Sequence, residues 1–382
     1  MRSGLSCLAV AVLAAASCLA SAVTQADEPF LGAYMSPSRL FDGKAEQSVR
    51  ERSIAESLDR FRQSGLKVMI PFVVSTDKKA FYPSQVVADR PYGDWDPLAV
   101  MIREGRQRGL QIYPAICVLA SGHTQLAGPL KEHPDWAVRD KAGEPMGFIS
   151  PGHPEARKWV VAMIKEVATR YEPEGVLLDY FRYPGNEALM DPVSQAGFDQ
   201  AHPADKFPRG GREYRDALKV FKRESLTELV GQASEALRGL RPAPRIAVYM
   251  WGAQELEGTR DWRTWAQRGY VDMLNLTAYY FPKNKGEQYL QKLEESFRTV
   301  GAMLKETGRP VEFTMCMGIK TSHGQIESAK EIPDYLQIGK RCGVHGAAFF
   351  TWDYLQPYLD EVKQAGYLSQ FATGLPPRPA AR

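Results

Sequence analysis

Four carboxylates stand where a side chain could do chemistry. Asp179 closes the run Val176-Leu177-Leu178 and is followed at once by Tyr180, Phe181, Arg182, Tyr183 and Pro184. Such an apolar run reads as a buried strand of a parallel sheet. Pro184 has no backbone N–H to give, so the strand stops at or before Tyr183. Asp179 then falls at the strand's C-terminal end, the end at which α/β folds place their chemistry. A carboxylate beside an apolar strand has to be paired or used. In use, it moves a proton or attacks as a nucleophile. Paired, it forms a buried structural ion pair, and Arg182 is the partner the spacing offers. Asp353 ends the run Thr351-Trp352-Asp353, and Glu255 lies just behind Trp251. Asp77 follows a further apolar run. For each of these the plain alternative is a solvated surface charge.

Aromatics gather near the same strand ends: Tyr34, Tyr180, Tyr183, Tyr249, Trp251, Tyr279, Tyr280, Trp352 and Tyr354. An aromatic is more often core than ligand platform, but nine at one face are hard to bury together. Asn275 and Thr277 alternate with Leu274 and Leu276, so both point to one side of their strand, as ligand contacts or as a satisfied buried pair. His123 and His153 fall on loops, where a lone histidine is commonly surface. Trp136 reads as a loop anchor. Asp272 opens its strand and belongs at the opposite end, as a stability residue.

The elements that position these residues alternate. Strand-like runs start near residues 30, 67, 111, 175, 245, 271, 311 and 345, and helical stretches separate them. Asp96-Pro97 caps and starts one helix, and glycines such as Gly65, Gly109, Gly308 and Gly343 close others. Strand–helix alternation argues for parallel βα units. Eight such units close a single (β/α)8 TIM barrel. An open doubly wound sheet is the runner-up, but it carries a Gly-rich turn after its first strand, and Met35-Ser36-Pro37-Ser38 is not one. Two connections are long, 119–153 after the third strand and 185–211 after the fourth, and long loops on one barrel face are usually functional. The barrel spans 27–370, and 371–382 reads as a flexible tail with no core pattern.

The chain has 382 residues, 44% hydrophobic and 24% charged, which suits one large core. Its net charge of +3 carries no basic block, so no nucleic-acid partner is expected. Residues 1–22 read as a signal peptide: a basic start, an apolar run from Leu8 to Leu19, and the small-x-small site Ala20-Ser21-Ala22. That predicts a secreted or periplasmic protein with no membrane span after cleavage. Lipid anchoring through Cys18 ranks below it. Cys117, Cys316 and Cys342 are too few and too scattered for a disulfide framework. No zinc-ligand spacing occurs, and neither a metal nor a cofactor is expected.

Three segments in order resemble glycosyl-hydrolase-like family 10, a group of predicted TIM-barrel glycosidases. They are His133-Pro-Asp-Trp136 running on to Gly143, Ser150-Pro-Gly-His-Pro154, and Glu174 to Pro184. Phe221 to Ser225, Val271 to Asn275 and Tyr279-Tyr280 extend the likeness over most of the chain. The resemblance implies hydrolysis of glycosidic bonds in a polysaccharide or oligosaccharide, of bacterial cell-wall or environmental origin. Two carboxyls must then flank the glycosidic oxygen. Asp179 is cast by resemblance as nucleophile or base, held ionised by Arg182. Asp353, at a strand end, ranks first as its partner, with Glu255 close behind. The sugar contacts expected are Tyr34, Arg182, Tyr183, Tyr249, Trp251, Asn275, Tyr279 and Trp352. Members of this family often carry two adjacent aspartates at the end of strand four, where this chain has Asp179 and Tyr180. A catalytically silent carbohydrate-binding barrel is therefore the alternative.

Overall fold

The computed structural model describes residues 28–380. The signal-peptide reading of 1–22 and the anchoring reading of Cys18 lie outside them. Eight strands form the frame: β1 (Phe30–Met35), β2 (Val68–Val74), β3 (Gln111–Ile112 with Ala115–Cys117), β4 (Gly175–Asp179), β5 (Arg245–Met250), β6 (Met273–Ala278), β7 (Glu312–Gly318) and β8 (Gly346–Phe350). Each pairs in parallel with the next, and β1 pairs with both β2 and β8, which closes the ring. The helices between them are α1 (Gln47–Gln63), α2 (Pro97–Gln107), α3 (Pro154–Tyr171), α4 (Arg212–Arg238), α5 (Trp262–Gln267), α6 (Tyr289–Lys305) and α7 (Ile332–Arg341). Two short helices, Leu359–Gln364 and Tyr367–Ala372, follow β8. The fold is the (β/α)8 barrel that the alternation predicts.

Local chemistry sets the boundaries. Asp96 caps α2 by accepting from the Ala99 N–H at 2.9 Å, and Pro97 occupies the first helical position, where its missing N–H costs nothing. Pro114 divides β3 into two pieces because it cannot donate to the ladder. The strands are buried on both faces, as a barrel wall between core and helices must be.

Inside the lower half of the barrel a bare backbone is needed at one point. A Cβ on Gly175 would lie 2.2 Å from the Tyr113 ring, so only glycine lets β4 pass that side chain. Below this layer Asp272 accepts from the Ile246 N–H at 2.9 Å and from Arg238 at 2.9 Å, at the N-terminal end of β6, where a stability residue was expected.

The tail departs from the sequence reading. Arg378 is 8% exposed and enters the bottom of the barrel. Its guanidinium donates to Glu312 at 2.6 Å, to Gln111 at 3.0 Å and to the Tyr113 hydroxyl at 3.2 Å, and it lies over the Phe30 ring. Arg245 takes the other oxygen of Glu312 at 2.7 Å and donates to the Pro379 carbonyl at 2.8 Å. One buried carboxylate thus holds two arginines. Residues 371–382 read as flexible from the chain alone because the contacts that hold the described part of this segment are scattered: the buried Phe371, the Arg378 guanidinium, and the Thr373 and Pro379 carbonyls, which show no hydrophobic period.

The long connections lie after β3 and β4. The first folds into a small antiparallel sheet of Ala120–His123, Pro145–Ile149 and Ala137–Arg139. The second carries a helix, Pro192–Ala201, capped by the buried Asp191. Among the described residues no helix is long and apolar enough to cross a membrane.

Candidate active site

Strand register brings the interior side chains together. Cys117 pairs with Asp179, Leu178 pairs with Val248, and Tyr249 pairs with Asn275. Asp179 and Tyr249 therefore follow side by side on the inner wall, with Asn275 next. Asn275 is fully buried and donates to the Tyr34 hydroxyl at 2.9 Å, while Thr314 donates to its carbonyl oxygen at 3.0 Å. This corrects the reading of Asn275 as a sugar contact: it is a strut that orients Tyr34. Tyr34 is itself 1% exposed and forms the floor beneath Asp179.

Asp179 ends β4 with a partly open surface ringed by protein. Its Oδ1 accepts from the backbone N–H of Tyr180 at 2.6 Å. Tyr180 makes this contact with φ +50°, a left-handed conformation that costs a non-glycine residue about 1–3 kcal/mol. Burial pushes the Asp179 carboxyl above the ordinary aspartate range. The Tyr180 N–H, Arg260 and Arg182 pull it back in part, and the charge of Glu255 pushes it further up.

The ion pair expected between Asp179 and Arg182 is not present. Arg182 turns away, donating to the carbonyls of Tyr183 at 3.1 Å and Pro184 at 3.5 Å and lying over the Tyr180 ring at 5.0 Å. The chain bends at Tyr180 and again at Arg182, and the two side chains do not meet. Asp179 is thus raised rather than held ionised by its arginine.

Glu255 follows β5 in a one-turn 3-10 helix, Ala253–Glu257. One of its oxygens pairs with Arg260 at 2.7 Å and the other accepts from the Trp251 N–H at 3.0 Å. Arg260 also donates to the Tyr249 carbonyl, which ties Glu255 back to the strand beside Asp179. Asp353 lies on a separate one-turn helix, Trp352–Leu355, after β8, and accepts from the Thr351 hydroxyl. Glu255 is among the charges that act on Asp179. Through Arg260 and Tyr249 the structure ties Glu255 to the strand beside Asp179, and no such tie joins Asp353 to it among the described residues.

Aromatic rings make the walls. Trp251, Tyr249 and Tyr279 are in mutual contact at 5.9–6.0 Å, Tyr279 meets Phe350 at 5.5 Å, and Phe350 meets Tyr34 at 5.4 Å. His323 adds its ring to Trp251 at 5.1 Å. On the other side Tyr180, His123 and Phe148 form a second group. Burial lifts the hydroxyls of Tyr34, Tyr249 and Tyr279 well above the usual phenol range, so they remain donors at neutral pH. The Tyr249 hydroxyl is buried with no hydrogen-bond partner among the described residues.

Two expected contacts are misplaced. Trp352 is wholly buried, donating to the Ser57 hydroxyl at 3.1 Å and packing on Phe61; it ties β8 to α1 and does not reach the mouth. Tyr183 is 4% exposed, with its ring under the Lys222 ammonium at 4.8 Å. Reading the chain alone missed Arg260, His323, Phe350 and Phe72, whose ring meets Tyr34 at 5.5 Å and Phe350 at 6.0 Å. Arg260 and His323 lie on irregular turns where no period flags them. Phe72 and Phe350 sit inside apolar runs that look uniformly core-like. Among the described residues no group of three or more His, Cys, Asp or Glu could hold a metal ion.

A closed parallel barrel whose mouth is lined by aromatics above carboxyls at the strand ends has the architecture of the barrel glycosidases. The chain belongs to the Glycosyl hydrolase-like 10 family, whose pattern matches residues 38–329. It is 26% identical over 274 residues to the glycosyl hydrolase YngK of Bacillus subtilis, covering 61% of this chain and 50% of YngK. It is 20% identical over 278 residues to the glycosyl hydrolase DigH of Escherichia coli K12, covering 61% of this chain and 58% of DigH. The chain thus spans little more than half the length of these relatives. Among solved structures it is similar to the PgaB (BpsB) glycoside hydrolase domain of Bordetella bronchiseptica. The TM-score is 0.69 at 13% identity, over 89% of this chain and 99% of that domain. An α-L-fucosidase of Paenibacillus thiaminolyticus follows with a TM-score of 0.61 at 14% identity, over 91% of this chain and 50% of that one. At such identities the shared property is the fold.

Proposed function

We propose that the protein is a secreted glycoside hydrolase that cleaves glycosidic bonds of a polysaccharide at the mouth of the barrel. The observation that carries this reading is the position of Asp179. It stands at the end of β4 under aromatic walls, its carboxyl raised by burial and the carboxylate of Glu255 nearby. Two carboxyls in unlike surroundings are what acid and base roles require. Burial favours the protonated form of Asp179, which suits it to protonate the leaving oxygen. Glu255, fixed by Arg260 and the Trp251 N–H, is the carboxylate for the anomeric side, as nucleophile or through water. The role of Asp179 thus changes from the nucleophile or base implied by resemblance to the acid. Trp251 and Tyr279 offer faces on which sugar rings stack.

A second reading, a barrel that binds glycan without cleaving it, draws on the same pair: both oxygens of Glu255 are already engaged. The purified protein, incubated with peptidoglycan strands and a panel of other polysaccharides, decides between them. Release of new reducing ends by the native protein and not by Asp179→Asn supports hydrolysis. Retention of a glycan by both, with no release, supports the binding barrel.

A further inference from the structure

A cavity of about 320 Å³ opens between the ends of β4 and β5, lined by Arg182, Asn186, Trp251, Gln254, Glu255 and Arg260 among others. Two guanidinium groups border it. Arg260 is 3% exposed and already carries Glu255 and the Tyr249 carbonyl, yet its Nε is buried without a hydrogen-bond partner. Arg182 has no carboxylate within 4 Å, and its hydrogen bonds among the described residues all come from one nitrogen and go to backbone carbonyls. The two arginines act on each other as like charges, and burial adds to the cost of the Arg182 charge. Most arginines this enclosed are paired with an anion. Here two cationic heads border one small cavity, and only one of them has a carboxylate partner among the described residues.

We propose that this cavity is a subsite for a carboxylate-bearing sugar, so that the glycan unit next to the cleaved bond is acidic. The inference rests on the glycosidase reading. A planar carboxylate matches the fork of a guanidinium, two oxygens to two N–H groups, and Arg182 has that edge free. Asn186 and Gln254, both exposed at the rim, supply donors and acceptors for the sugar hydroxyls, and Trp251 supplies a ring face. A neutral sugar would leave the Arg182 charge uncompensated, so discrimination arises from the unpaired cation as much as from the new contact.

The test is calorimetric binding of three tetrasaccharides to the Asp179→Asn protein, which cannot turn them over. One is a neutral N-acetylglucosamine tetramer, the second alternates N-acetylglucosamine with glucuronate, and the third is a sulfated neutral tetramer. The glucuronate probe is expected to bind at least tenfold more tightly than the neutral one, with the advantage shrinking as salt rises. Adding Arg182→Gln is expected to remove most of that ratio, and Arg182→Lys, which keeps the charge but not the fork, to restore part of it. Arg182→Lys also serves should the Gln variant not fold. Equal affinity for neutral and acidic probes, or a ratio untouched in both Arg182 variants, overturns the subsite. A sulfated probe that binds as tightly as the glucuronate probe overturns the carboxylate assignment. Failure of all three sugars to bind overturns instead the glycosidase reading beneath it.

Discussion

Tyr180 turns its backbone N–H onto the Oδ1 of Asp179 at 2.6 Å and does so from a left-handed conformation, φ +50°. The carboxyl is therefore oriented by the residue that follows it, while Arg182 is free for other work. A strained backbone held against a buried carboxyl marks a site kept for function at some cost in stability.

Asp179→Asn keeps the shape and the Tyr180 contact but loses the titrating proton. Turnover should fall by at least about 10²–10⁴-fold. The folded-state pKa of Asp179 is raised, so the folded protein binds the proton more tightly than the unfolded chain. Its stability falls as pH climbs from the unfolded value through the folded one. At neutral pH the variant should melt at the same temperature as the native protein or higher. If Asp179 is the acid, the native activity should also decline on the alkaline side of a raised carboxyl pKa, and the pH–rate profile checks this. A variant that melts lower would place Asp179 in a stabilising ion pair.

Glu255→Gln and Asp353→Asn separate the two partner carboxylates. Glu255→Gln should cost activity by about 10²-fold or more. It also leaves the 3% exposed Arg260 without its counter-charge, worth about 3–5 kcal/mol of stability. Asp353→Asn should retain activity within a few-fold. Initial rates on the released-sugar assay and thermal melts distinguish the two.

Trp251 and Trp352 look alike in the chain and should behave differently. Trp251→Ala removes a half-buried wall of the mouth, so KM should rise about tenfold with little change in melting temperature. Trp352→Ala opens a cavity between β8 and α1 and should cost about 3–5 kcal/mol, with KM of the folded fraction unchanged. Steady-state kinetics paired with denaturant titration reads both.

Lys78 is fully buried, donates to the carbonyls of Cys117 and Val118, and has its pKa lowered by burial to about 7. Between about pH 7 and the unfolded value of 10.5 the unfolded chain binds more protons than the folded one, so stability should rise with pH across that window. Lys78→Met should flatten this rise. Melting temperatures from pH 6.5 to 9.5 test it; an unchanged slope in the variant removes Lys78 as its source. Gly128 covers this lysine, with a Cβ there falling 2.4 Å from the Lys78 Cβ. Gly128→Ala should therefore destabilise the β3 excursion as well.

The barrel was legible in the chain because its signals are local. Eight apolar runs, each followed by a helical stretch, state a period that needs no tertiary knowledge. Asp179 was legible for the same reason: one polar residue ending an apolar strand and followed by a strand-stopping proline stands out against its neighbours. Which groups meet across the barrel was not legible. Arg260 folds a turn of the β5 loop back onto Tyr249 and carries Glu255 with it. Trp352 leaves the mouth because its helix turns it onto Ser57. Arg378 reaches Glu312 across 66 residues of sequence. Periodicity records which face of an element is buried, and it carries no term for the partner of a single polar side chain. That choice depends on strand register and loop path, and these are fixed only when the ring closes.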